Sequence, residues 1–188
     1  MPNHQPLHEA IRVAADPLAV LQRIVHQAIM LLPQADGASL EVRREANRLE
    51  YLVAAGSLAS HVGLRLPVQG SFSGLSLRTG RVEICRDALT DSRVDRSGVA
   101  ATGVRSMLCV PLSDQPESVA VLKVSSARAD AFSEADAEQL RVLAHFLDVT
   151  VSAASALAGV TADVLADLDR VNTAQPGGLD WQIGRAHV

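Results

Sequence analysis

The sequence predicts an α+β domain in which one antiparallel sheet carries terminal helices on one face and loops with a short helix on the other. Apolar residues recur at helical spacing towards both ends, whereas the middle holds short strand-like runs separated by polar turns. In order, the elements read helix, hairpin, loop, short helix, strand, long loop, strand, strand, long helix. The chain has 188 residues, of which 48% are hydrophobic and 20% charged, enough to bury one core and too few for a multi-domain enzyme.

Asp16 and Pro17 open the first helix as N-cap and first helical residue. Leu18, Leu21, Ile24, Val25, Ala28, Ile29 and Leu32 then form one apolar stripe, which Pro33 ends. Gly37 to Arg43 and Leu49 to Ala55 read as a hairpin around the turn Arg44 to Asn47. Gly56 to Gly70 is irregular, with a short strand at Leu64 to Leu66. Ser71 or Ser73 caps a short helix bearing Phe72, Leu75 and Leu77, and Gly80 supplies its left-handed exit. Arg81 to Cys85 is a strand.

The stretch Arg86 to Gly103 is rich in Asp, Ser, Thr and Gly, with one helical turn near Val94 to Ala101, and long loops inside small domains are usually functional. Val104 to Leu112 and Ser118 to Ser125 are strands joined by the turn Ser113 to Glu117. Alternation in the first puts Ser106, Leu108, Val110 and Leu112 on one face, expected to meet the long helices. Arg105, Met107, Cys109 and Pro111 fall on the other, expected to look towards the loops. Ser133 and Asp136 form a capping box for a helix through Leu140, Leu143, Leu147, Thr150, Ala154 and Leu157. The same register continues past Gly159 to Val171.

This divides the chain into a tail at 1–15, a domain at 16–158, a helical linker at 159–175 and a further linker at 176–188. The last six residues, Ile183 to Val188, are the translation of ATC GGA AGA GCA CAC GTC, a string from a widely used sequencing adapter. They are expected to be non-native, with the natural chain continuing beyond about Gln182.

Composition excludes several function classes. A net charge of −4 with 17 basic residues offers no basic block for a phosphate backbone, and 3% aromatics leaves few stacking platforms for bases, so no nucleic-acid partner is expected. No run reaches the roughly 18 apolar residues of a membrane span, and the start MPNHQPLHEAIRV is unlike a signal peptide, so the expected location is cytoplasmic. Cys85 and Cys109 are too few for a disulfide framework and too widely spaced for a metal motif.

Several segments taken in order resemble the GAF domain family, relatives of the PAS domains. They are DPLAVLQRIV followed by ADGASLEV, then LRLPVQGSFSGLSLRTGRVEIC, the loop DALTDSRVD, the strand GVRSMLCVPL, and VLKVSSARADAFSEADAEQLRVLAHF. The resemblance covers roughly Asp16 to Leu157. It implies a sensory, regulatory, small-molecule-binding domain of the kind found in bacteria before cyclic-di-GMP cyclases and phosphodiesterases or histidine kinases. The output domain is expected to be missing from this sequence.

The resemblance also bounds the ligand. Cyclic-nucleotide-binding members carry an Asn-Lys pair where this chain has Ser126 and Ala127, although Phe132 and Asp136 fit, so a cyclic nucleotide is not expected. Bilin attachment needs a cysteine between Val94 and Gly103, and there is none. The sulfoxide-reductase branch needs thiols near Phe72 to Gly74 and Arg96 to Ala101, which this chain lacks, so a reductase is only a third reading that thiol-dependent turnover of a sulfoxide would revive. No Gly-rich phosphate loop, Ser/His/Asp set or paired carboxylates stand out, and a non-enzyme with no catalytic residues is expected. A haem ligand would have to be His61 or His145, both read as exposed polar residues. Ligand and cofactor therefore remain unknown, and no metal site is expected.

Alternation and loop position select Phe72, Leu75, Cys85, Met107 and Cys109 as candidate cavity-lining residues, with Asp91, Arg93 and Arg105 as candidate polar contacts for an anionic ligand. Two alternatives stand beside these. The cysteines are small buried hydrophobes, and the charged residues are an ion-pair set that closes the loop. The expected mechanism is a population shift in which the ligand changes the packing of the terminal helices of a homodimer. The competing reading is a GAF fold that binds nothing and only pairs subunits: its cavity would be filled by side chains, and Leu147→Asp or Leu157→Asp would abolish association.

Overall fold

The structure, a computed structural model, describes residues 17–45, 47–112 and 120–148. Helix α1 spans Pro17–Leu31 and ends ahead of Pro33; its expected cap, Asp16, lies outside the described residues. Strands β1 (Gly37–Glu45) and β2 (Arg48–Gly56) form the hairpin. A 3₁₀ turn at Ala59–His61, which the sequence pattern does not announce, leads to β3 (Arg65–Pro67). Helix α2 (Phe72–Thr79) is capped by Ser71, whose hydroxyl accepts from Gly74 N at 3.1 Å, and it leaves through Gly80 at φ +64°.

Strand β4 (Glu83–Cys85), helix α3 (Arg96–Thr102), and strands β5 (Ser106–Pro111) and β6 (Ala120–Ser126) follow. Helix α4 covers residues 134–148. Its start is the expected capping box: Ser133 N donates to Asp136 Oδ2 at 2.7 Å, and Asp136 N donates to Ser133 Oγ at 3.3 Å. The continuation of this helix, the linkers and the last six residues lie outside the described part.

All six strands join one antiparallel sheet in the order β3-β2-β1-β6-β5-β4. One face packs under the long helices. Leu108, Val110 and Leu112 together with Leu40, Leu122 and Val124 meet Ile24, Val25, Ala28 and Leu32 of α1 and Ala137, Leu140, Ala144 and Leu147 of α4. The other face packs Leu49, Tyr51, Met107, Cys109 and Val121 against Phe72 and Leu77 of α2 and Val99 of α3. The two faces of β5 are thus divided as alternation requires.

Leu147 is fully buried in the helix-side core. A charge at that position disrupts the fold itself, so Leu147→Asp does not report on association as the sequence reading expected. Leu157 lies outside the described residues.

A bulge in the hairpin decides which way Tyr51 faces. Leu40 pairs with Val53 and Glu41 with Tyr51, so Leu52 is an extra residue on β2. Without it Tyr51 and Val53 would share a face. With it, Val53 joins the helix-side core and Tyr51 joins the opposite face, directly across from Glu41.

Candidate functional site

The loop-side face of the sheet carries an unusual amount of polarity for a buried surface. Ser39, Glu41, Lys123 and Ser125 are all buried, and they come from the two central strands. The register explains their meeting: Lys123 stands opposite Ser39 on β1 and opposite Cys109 on β5, with Glu41 on its diagonal. Lys123 Nζ forms an ion pair with Glu41 Oε1 at 3.2 Å and donates to the Tyr51 hydroxyl at 2.5 Å. The same ammonium lies 4.9 Å from the Tyr51 ring centroid, and Ser39 Oγ donates to Glu41 Oε1 at 3.2 Å. Glu41 Oε2 is buried with no hydrogen-bond partner among the described residues.

These contacts set the charges. Burial, reinforced by Glu41, pushes the Tyr51 hydroxyl up to about 12. Burial works to lower the Lys123 ammonium, but Glu41 and Tyr51 outweigh it and hold the pKa above its ordinary value. The pair is therefore a fixed ammonium beside a neutral phenol. The Cys109 thiol, pushed up to about 12 by burial, and the Cys85 thiol, pushed up to about 12 by burial and Asp91, stay protonated near neutral pH.

Above Lys123 and Tyr51 lies a cavity of about 40 Å³. At roughly 10–15 Å³ per water it holds about three water molecules. Leu64 and Leu66 bound one side, Ser71, Phe72 and Ser73 at the start of α2 another, and Val104 with Met107 of β5 a third. The roof is the mid-chain segment: Val94, Asp95, Gly98, Val99 and Thr102. The stretch between β4 and β5 thus covers a space above the sheet.

The candidate residues named from the sequence divide into three groups. Phe72 and Met107 line the cavity. Leu75, Cys85 and Cys109 belong to the surrounding apolar layer and are not among its lining residues. Asp91, Arg93 and Arg105 are committed to one another's loop. Arg93 makes a two-pronged pair with Asp91 at 2.9 and 2.7 Å, reaches Glu83 at 3.1 Å and donates to the Ile84 carbonyl at 2.9 Å. Arg105 makes a second two-pronged pair with Asp87 at 3.0 and 2.8 Å. These two clamps bracket the roof segment at either end. The hydrogen bonds from Arg105 and Arg93 hold Asp87 and Asp91 below the usual carboxylate range.

His61 sits beside the roof, with Nε2 3.4 Å from the Ala101 carbonyl, and His145 is exposed on α4. Among the described residues no group of three or more His, Cys, Asp or Glu is placed to hold a metal ion. Nor is any helix among them long and apolar enough to cross a membrane.

A family model for the GAF domain matches residues 14–152. The chain belongs to the GAF domain family. Its fold is shared by the GAF domain of a phosphoenolpyruvate-protein phosphotransferase from Coxiella burnetii, at 20% identity and a TM-score of 0.67, over 82% of this chain and 94% of that one. The GAF-B domain of DevS from Mycobacterium smegmatis matches at 23% identity and 0.62, over 77% and 99%. A type II free methionine-R-sulfoxide reductase from Thermoplasma acidophilum matches at 17% identity and 0.59, over 69% and 88%. Comparison with curated proteins gave no match. GAF domains are a sensory and regulatory fold of signalling proteins.

The residues that sequence reasoning passed over in this GAF domain are Glu41, Tyr51 and Lys123. Two of them left a signal. Lys123 is the chain's one lysine and interrupts the apolar run AVLKVSS, and Glu41 interrupts ASLEV on the face away from Leu40. Charges placed inside central-strand patterns mark a polar site on the sheet. Tyr51 left none, because the bulge that turns it towards Lys123 is not written in the alternation.

Proposed function

We propose that this GAF domain is the sensory input unit of a cytoplasmic bacterial signal-transduction protein, binding a small molecule in the cavity between β2, β5, β6 and the α3 roof, and catalysing nothing itself. The observation that carries the reading is the cavity set directly on the buried Lys123–Tyr51 contact. Natural proteins rarely leave a charged side chain buried beside a void unless it has work to do there. The absence of catalysis is supported by the thiols: both are held protonated by burial, which leaves them poor nucleophiles.

The route from site to output follows from strand alternation. Lys123 on β6 faces the cavity, whereas Leu122 and Val124 on either side of it face α1 and α4. An occupant that shifts Lys123 and the roof therefore biases the packing of both long helices. A homodimer formed through those helices would carry the change onward, and Met30 on α1 and Val142 and Phe146 on α4 offer apolar surface for it, at 75%, 60% and 64% exposure.

The test is a thermal-shift screen of the full chain against small metabolites, repeated on Val99→Phe, which fills the cavity from the roof. A genuine occupant raises the melting temperature of the wild type and leaves Val99→Phe unmoved. Equal shifts in both proteins, or none in either, would overturn the binding role and leave a subunit-pairing GAF fold.

A further inference from the structure

We infer that the cavity selects an uncharged molecule with a carbonyl-type hydrogen-bond acceptor on a short apolar body, and that Glu41 is the residue that turns anions away. The inference rests on the reading of this cavity as the binding site.

Donors dominate its floor. Among the described residues Lys123 Nζ has two partners, Glu41 Oε1 at 3.2 Å and the Tyr51 hydroxyl at 2.5 Å, which leaves one of its three N–H groups. The Tyr51 oxygen accepts from Lys123, so its own proton remains to be donated. Two wall hydroxyls use their protons locally: Ser71 donates to the Pro67 carbonyl at 2.5 Å and Thr102 to the Gly98 carbonyl at 3.0 Å. The complement of such a floor is an acceptor oxygen. The rest of the occupant meets carbon, chiefly Leu66, Phe72 and Met107. A volume of about 40 Å³ takes about three to four non-hydrogen atoms, on a scale of roughly 10–15 Å³ per water.

Charge decides between a carbonyl and a carboxylate. The Lys123 ammonium is already balanced by Glu41, whose second oxygen, Oε2, is buried without a hydrogen-bond partner among the described residues. An anion on the same ammonium would bring a second negative charge beside one that has no other compensation, where little water screens the repulsion. A neutral carbonyl takes the free N–H and O–H without changing the charge count.

Acetone and acetate make the test, since each has four non-hydrogen atoms and nearly the same shape. Backbone amide spectra of the full chain are recorded with either compound at matched ionic strength. Acetone should move the amides of Tyr51, Met107 and Lys123, and acetate should not. Tyr51→Phe should weaken acetone about fivefold, the loss of one hydrogen bond. Glu41→Gln leaves Lys123 without a counter-charge and should let acetate in, with a gain of about tenfold.

If acetate moves the wild-type amides as strongly as acetone, or gains nothing in a folded Glu41→Gln, the selectivity is wrong while the cavity remains a binding site. If neither compound moves them, the binding role falls as well. Should Glu41→Gln fail to fold, the wild-type comparison and Tyr51→Phe still decide the matter.

Discussion

The guanidinium carbon of Arg93 lies 5.1 Å from the centroid of the Phe72 ring, so the clamp at one end of the roof rests on a residue of the cavity wall. Arg93 pairs with Asp91 and Glu83 from that position, and Arg105 pairs with Asp87 at the far end of the segment. The roof is thus held at two posts with α3 between them. Arg93→Ala should cost the domain no more than about 1 kcal/mol and Arg105→Ala should leave the urea midpoint almost unmoved, since both arginines are open to solvent. Each should nevertheless raise amide hydrogen exchange across residues 94–104, with the central strands unchanged. Exchange rising equally in β1 and β6 would mean that the posts hold the whole fold and not the roof.

Acid should mimic those substitutions. The arginines depress Asp87 and Asp91 in the folded state below the ordinary value of 3.8. A depressed folded pKa gives stability that is complete above the unfolded value and lost as pH falls through the folded one. Roof protection factors, corrected for the intrinsic exchange rate and followed downward from pH 5, should therefore fall only below about pH 4. Arg93→Ala should weaken that dependence at its own post, the backbone N–H of residue 93 still bonding Asp91.

On the sheet, the Glu41–Lys123 pair is a case where breaking and replacing have different consequences. Removing one partner strands a charge in a buried site, so Lys123→Met should destabilise by about 3–5 kcal/mol in urea unfolding. The double variant Glu41→Leu/Lys123→Met removes both charges and should recover most of that loss, because the desolvation cost leaves with them. Additive losses in the double variant would show that packing, not charge, gives these two side chains their importance.

The legibility of each feature in the sequence depends on the length over which a pattern repeats. The terminal helices, the hairpin and the faces of β5 each rest on several residues in phase, and Ser71, Gly80 and the Ser133–Asp136 box are local signals with local causes. The cavity is not local. Its floor pairs Tyr51 with Lys123 across 72 residues, and only the Leu52 bulge puts the tyrosine on the right face. Arg93 and Arg105 are open to two readings in the sequence because Asp91 and Asp87 lie close enough in the chain to pair with them, and the structure contains those pairs.

The entry of α2 depends on one close approach. Gly74 packs against the Val68 carbonyl, where a side-chain carbon would overlap the oxygen, and Arg78 Nη1 donates to that same carbonyl at 2.5 Å. Backbone on one side and a bonded guanidinium on the other leave little room to yield. Gly74→Ala should therefore destabilise by about 1–3 kcal/mol despite the better helix propensity of alanine. It should also displace Phe72 and Ser73, two residues further along the cavity wall, visible as altered amide shifts there.

Alkali tests how dry this face is. Cys85 and Cys109 are pushed from 9.0 up to about 12 by burial, and Tyr51 from 10.0 up to about 12 by burial and Glu41. In each case the folded state binds its proton more tightly than the unfolded chain does. The stability this gives is complete below the unfolded pKa and drains away as pH rises towards the folded one. Urea midpoints should thus stay flat up to about pH 9 and fall steadily from there to pH 12. Cys85→Ala/Cys109→Ala starts from a lower plateau because two buried side chains are trimmed, but its decline should begin nearer pH 10, with Tyr51 and Lys123, whose folded pKa values are both raised. A midpoint that stays flat to pH 11 in the wild type would mean that water reaches these groups, and the dry, donor-lined floor on which the ligand argument stands would go with it.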